Sequence, residues 1–141
     1  MSFNIAIDGP AGAGKSTIAK KIAKELGFVY VDTGAMYRAM ALYFLRSNIS
    51  NEDEQAISRA SENVEITIQY ENGEQQVFLN GENVSGEIRK EEVGNMASKT
   101  SGYGQVRKKL VELQQQLAKK ADVVMDGRDI GTVVLPDAQV K

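Results

Sequence analysis

Residues 9–16 read Gly-Pro-Ala-Gly-Ala-Gly-Lys-Ser, the spacing G-x-x-x-x-G-K-S, between an apolar run at Phe3, Ile5, Ala6 and Ile7 and a segment of helical periodicity. Strand, glycine-rich turn and helix in that order leave few folds open. The glycines let the backbone curl until successive N–H groups face one concavity, and the helix that follows directs its positive end there. Such a concavity suits phosphate. Gly9, Pro10, Ala11, Gly12, Ala13 and Gly14 would form it, Lys15 would add a full charge at the β- and γ-phosphates, Ser16 would offer its hydroxyl to Mg2+, and Thr17 is a further phosphate contact. The plain alternative is a strand-to-helix turn that binds nothing.

Composition narrows the chemistry. With 141 residues, 42% hydrophobic and 26% charged, the chain is long enough for one compact core. A net charge of −2 gives no general attraction to nucleic acid or to an anionic membrane. The chain has no cysteine and no histidine, which excludes disulfides, a thiol nucleophile, an imidazole base and the usual zinc sites. Lysine, arginine, aspartate, hydroxyls and a metal are left to carry any reaction. The first residues lack the basic start and apolar stretch of a signal peptide, and no run reaches membrane-spanning length. A cytoplasmic protein is expected.

The periodicity predicts an α/β chain. Ile18, Ile22 and Leu26, with Ala19 and Ala23 beside them, make an apolar helical stripe that ends at a C-capping Gly27. Phe28-Val29-Tyr30-Val31 reads as a second strand ending at Asp32-Thr33-Gly34, and Ala35 to Arg46 as a second helix. Alternating strands and helices call for a parallel sheet flanked by helices. Ser50 to Asn63 is polar and helical. Between Val64 and Val84 the period changes to two: Val64, Ile66, Ile68 and Tyr70 alternate, Asn72-Gly73 turns, Val77-Phe78-Leu79 returns, and Asn80-Gly81 turns again. This is an antiparallel hairpin insert, either surface decoration or part of the site. Helix is expected from Glu87 through Ser98 and from Gln105 to Ala121, the latter with Val106, Leu110, Leu113 and Leu117 on one face. Val123-Val124-Met125, apolar without alternation, reads as a central parallel strand ending at Asp126-Gly127-Arg128-Asp129.

Ligands of open parallel sheets sit beyond the carboxyl ends of the strands, where Gly9, Asp32-Thr33 and Asp126 to Asp129 all fall. Asp126 ends an apolar strand in a chain with a phosphate loop, the place of a carboxylate that holds Mg2+ directly or through water; a cap or turn residue is the alternative. Arg38 and Arg128 follow strand ends. Their planar forks suit a dianionic acceptor phosphate, against the alternative of solvated surface arginines.

Four segments together resemble bacterial cytidylate kinase: Asp8 to Ser16, Asp32-Thr33-Gly34-Ala35-Met36-Tyr37-Arg38, Val84-Ser85-Gly86-Glu87-Ile88-Arg89, and Asp126-Gly127-Arg128-Asp129-Ile130-Gly131-Thr132-Val133-Val134. The loop is shared by many nucleotide-hydrolysing proteins, whereas the second and fourth segments are specific. The resemblance runs through essentially the whole chain. It implies the nucleoside monophosphate kinase form of the P-loop fold, with residues 1–34 and 105–141 as the core and 35–104 as the acceptor-binding lobe, including the hairpin insert at 64–84. It also implies transfer of the ATP γ-phosphoryl group to CMP or dCMP with Mg2+ required, in a monomer without nucleic-acid or membrane partners.

Carried over by position, the resemblance assigns Arg38 and Arg128 to the CMP phosphate. Ser98, Arg107 and Asp129 go to the cytosine edge, and Thr33 and Tyr37 to the lining of the acceptor pocket. The chemistry agrees. A carboxylate accepting from the exocyclic amine, with an arginine donating to the ring, favours cytosine over a base with a carbonyl in that place. The resemblance further implies an arginine-rich lid, further strands and an adenine-binding loop beyond Lys141, so the chain is expected to be a fragment of a longer kinase. Two other readings stand beside this one: a kinase for another small acceptor on the same fold, and a nucleotide-binding module without transfer activity.

Overall fold

The computed structural model describes residues 3–8, 15–71 and 74–127. Two compact units separate, one formed by Met1–Thr33 with Gln114–Lys141 and the other by Gly34–Leu113.

In the first unit, β1 (Asn4–Asp8), β6 (Val123–Gly127) and β2 (Val29–Asp32) form a parallel sheet in the order β1-β6-β2. The register pairs Ile5 and Tyr30 with Val124, Asp32 with Asp126, and Asp8 with Gly127. As the middle strand, β6 is covered on both faces, which is why Val123, Val124 and Met125 are all buried and apolar. Register partners on parallel strands share a face, so Ile5, Val124 and Tyr30 form one row and Ile7, Asp126 and Asp32 the next.

Helix α1 (Lys15–Leu26) packs on that face through Ala19 and Ala23, which cluster with Ile5, Tyr30 and Val124. This corrects the apolar stripe read from the sequence. Ile18 and Leu26 are 55% and 53% exposed, and Ile22 is partly buried against the cluster. Two alanines let the helix approach the sheet closely; Ile18 is turned about 100° from Ala19, and Leu26 is the last helical residue. The end of α1 follows the sequence expectation. Gly27 has φ +71°, and Phe28 N–H donates to the Ala23 carbonyl at 2.9 Å while its ring packs on the same cluster, the hydrophobic contact of a Schellman cap.

In the second unit, α2 (Thr33–Arg46, of which Gly34 onward lies here) buries Met36, Met40 and Phe44, and α3 (Glu54–Ser61) buries Ile57. The α3 N-cap is Asp53, whose carboxylate accepts from Ala56 N–H. Strands β3 (Ile66–Glu71), β4 (Glu74–Leu79) and β5 (Glu82–Asn83) form an antiparallel sheet in that order, with Ile66 opposite Leu79 and both buried. Asn80 and Gly81 join β4 to β5 at φ 49° and 88°, the positive values a two-residue hairpin turn of this hand requires. The expected turn at Asn72-Gly73 lies outside the described residues.

The single helix expected over 87–98 is two elements. A 3-10 turn at Glu87–Arg89 is followed by α4 (Glu91–Thr100), with Lys90 extended between them at φ −64°, ψ 146°. The break places Glu91 and Glu92 in the first turn of α4, where its dipole favours negative charge. Helix α5 (Gly104–Lys120) buries Val106, Leu110 and Leu113; Gln114 onward belongs to the first unit.

Candidate active site

At the carboxyl end of the parallel sheet, Asp126 is only 3% exposed. A carboxylate removed from water needs donors. The Tyr30 hydroxyl donates to Asp126 Oδ2 at 2.8 Å, and the Thr33 hydroxyl donates to the Asp126 backbone carbonyl, also at 2.8 Å. Tyr30 of β2 and Thr33, the first residue of α2, therefore hold the side chain and the main chain of Asp126 respectively. Asp32, half-buried, is its register partner on the same face. That face is the one covered by α1, the helix opened by Lys15 and Ser16 at the end of the G-x-x-x-x-G-K-S segment. Two hard oxygen donors beside a phosphate-loop helix fit Mg2+, which is held by one or two carboxylates together with substrate phosphates and water. Among the described residues no group of three or more acidic residues gathers to make an all-protein cage.

The second unit arranges the acceptor candidates. Tyr37 and Arg38 lie half-buried on α2. Arg38 donates from Nη1 to the Ile88 carbonyl at 3.0 Å. That carbonyl faces Arg38 because the chain leaves the helical path at Lys90. The same guanidinium lies against Gly94 of α4, and Ser98, four residues on, shares that helical face. Ser98 is exposed, as is Arg107 on α5. The segment 84–89 is itself tied down: Ser85 Oγ accepts from Val77 N–H at 2.9 Å and donates to Asn83 Oδ1 at 2.7 Å. Arg46, at the end of α2, forms ion pairs with Glu82 at 2.9 Å and Glu87 at 2.8 Å. The Arg46 hydrogen bond holds the Glu82 carboxyl below the ordinary carboxylate range, and Glu82 together with Glu87 raises the Arg46 guanidinium.

Of the other sequence candidates, Thr17 is exposed on α1 and Thr33 is buried. Gly9 to Gly14, Arg128 and Asp129 lie outside the described residues. Sequence reasoning missed Tyr30, which reads as one more apolar strand residue, and the Ile88 carbonyl and Gly94, which only the fold brings to Arg38. The one signal for Tyr30 was parity: it stands two residues before Asp32 and so on the same face.

A sequence model of the cytidylate kinase family matches residues 5–141. The chain belongs to the cytidylate kinase family. Its relatives include the cytidylate kinase of Caldanaerobacter subterraneus subsp. tengcongensis, 56% identical over 141 residues, which are all of this chain and 61% of the relative. That of Caldicellulosiruptor saccharolyticus is 54% identical over 139 residues, 99% of this chain and 62% of the relative. That of Lactobacillus johnsonii is 53% identical over 139 residues, 99% of this chain and 60% of the relative. The chain thus spans about three fifths of the length of the cytidylate kinases it matches. The P-loop kinase fold of the family agrees with a parallel sheet flanked by helices and accompanied by an antiparallel sheet. No helix among the described residues is long and apolar enough to cross a membrane.

Proposed function

We propose that the protein to which this chain contributes transfers the γ-phosphoryl group of ATP to CMP or dCMP, giving CDP or dCDP and ADP. The observation that carries this reading is the sheet register, which sets buried Asp126 beside Asp32 on the face covered by the phosphate-loop helix. Residues 1–34 and 105–141 serve as the donor core and 35–104, with the hairpin insert, as the acceptor lobe. Gly9 to Thr17 cradle the ATP phosphates, with Lys15 on the β- and γ-oxygens. Ser16 and Asp126 hold Mg2+, which when bound neutralises charge on those phosphates. Arg38 and Arg128 grip the acceptor phosphate. Ser98, Arg107 and Asp129 read the cytosine edge, and Thr33 and Tyr37 line the pocket.

In the reaction an oxygen of the acceptor phosphate bonds to the γ-phosphorus while the bridging P–O bond to ADP breaks. The acceptor oxygen is already anionic, so no general base is required, and the protein's work is alignment and charge neutralisation by Lys15, Arg38 and Arg128. The acidic balance of the chain supports small-molecule partners rather than nucleic acid or membrane, and a monomer working in the cytoplasm completes the reading.

The test is product formation from ATP and Mg2+ with CMP, dCMP, UMP and AMP in turn, on the whole protein and on the 141-residue chain, with CMP binding measured alongside. Selective formation of cytidine diphosphates by the whole protein supports the proposal. Phosphorylation of a different acceptor, or nucleotide binding with no transfer by the whole protein, overturns it.

A further inference from the structure

We infer that Tyr30 is a positioning residue for Asp126, setting the plane of its carboxylate. The inference rests on the proposed metal role of Asp126. Tyr30 stands in the sheet row below Asp126, paired with Val124, and its phenol reaches forward along the face to Oδ2. Both ends of this bond are buried, Tyr30 at 5% and Asp126 at 3% exposure, so the phenol supplies to that oxygen what water would otherwise supply. A carboxylate rotates freely about its last torsion when solvated. Anchoring one oxygen defines the direction of the other, and the Thr33 hydroxyl fixes the main chain from which the group hangs.

The ring that delivers the hydroxyl is itself confined. It packs with Ile5, Ala19, Ala23 and Val124, and Lys20 Nζ stands 5.8 Å over its centroid. Packing alone would be met equally well by phenylalanine. What tyrosine adds is a donor at one defined oxygen of one acidic residue, the arrangement by which outer groups orient metal-binding carboxylates.

The experiment compares Tyr30→Phe and Asp126→Asn in the whole protein, with Mn2+ as the probe. Mn2+ binding to the protein–ATP complex is titrated by electron paramagnetic resonance, CMP binding is measured by calorimetry, and urea midpoints are recorded. Expected is a Mn2+ affinity about tenfold weaker in Tyr30→Phe with CMP binding unchanged. Tyr30→Leu, which also removes the ring, should add a lower urea midpoint. Wild-type Mn2+ affinity in Tyr30→Phe beside a weakened Asp126→Asn would overturn the positioning role. Equal losses of Mn2+ and CMP binding in Tyr30→Phe would overturn it too, by showing a general structural role. Wild-type affinity in Asp126→Asn would instead remove the metal reading on which the inference stands.

Discussion

The guanidinium of Arg38 lies so close to Gly94 that a Cβ there would stand 3.2 Å from Nη2 and 3.4 Å from Cζ and Nη1. The absence of a side chain at position 94 is therefore part of how Arg38 is seated, together with the Ile88 carbonyl that accepts from Nη1. With Arg38 on the acceptor phosphate as proposed above, Gly94→Ala, which asks the guanidinium to give by a few tenths of an ångström, should raise the KM for CMP by less than about tenfold; the bulkier Gly94→Val should exceed that. The KM for ATP should not move in either variant. Initial-rate kinetics with each nucleotide varied in turn check the split.

Thr33 gives a prediction about stability rather than rate. Its hydroxyl donates to the Asp126 carbonyl with both residues buried, so Thr33→Val leaves a buried acceptor without that donor. The loss should be about 1–2 kcal/mol by urea denaturation, and Thr33→Ser, which keeps the hydroxyl, should recover most of it. Equal stability of the valine and serine variants would contradict the assignment.

Substitutions along α1 should separate the apolar stripe from the buried one. Ala23→Leu forces extra methylenes between helix and sheet, where Ala23 meets the cluster around Val124, and should cost about 1–3 kcal/mol. Ile18→Ala, at an exposed position, should stay within about 0.5 kcal/mol of the parent. Reading hydrophobicity alone would rank the two the other way. Thermal or urea midpoints decide the order.

The Arg46 pairs with Glu82 and Glu87 are solvent-exposed, so their contribution is small and screened by salt. Its pH dependence has a definite sign. The Glu82 carboxyl is held below its ordinary value by Arg46, so the contribution is fully present above the unfolded carboxylate range and is lost as the pH falls through the lower folded value. Arg46→Met should speed hydrogen exchange at the β5 amides at neutral pH and low salt. The difference from the parent should shrink in high salt and vanish in acid only once the pH has fallen below the depressed Glu82 value. A difference that persists in acid would mean that the arginine acts by packing its stem.

Much of the architecture was legible because short-range chemistry set it. The glycine-rich segment between an apolar run and a periodic one, the capping Gly27, the Asn80-Gly81 turn and the non-alternating Val123-Val124-Met125 all depend on a few neighbouring residues. Less legible was the helix break at Lys90. No proline or glycine marks it, and its consequence, a carbonyl turned toward Arg38, involves a residue fifty positions away.

By itself, then, the sequence determined the element types, the family, and the placing of acidic residues at strand ends, since periodicity, turn chemistry and specific segments are local properties. Tertiary structure alone decided that β6 enters between β1 and β2, and from that single insertion come the Asp32–Asp126 pairing and the Tyr30 and Thr33 hydrogen bonds to Asp126. These contacts join residues more than ninety positions apart. Strand order and register follow from how the apolar faces of distant segments are buried together, and no local pattern in the chain encodes that choice.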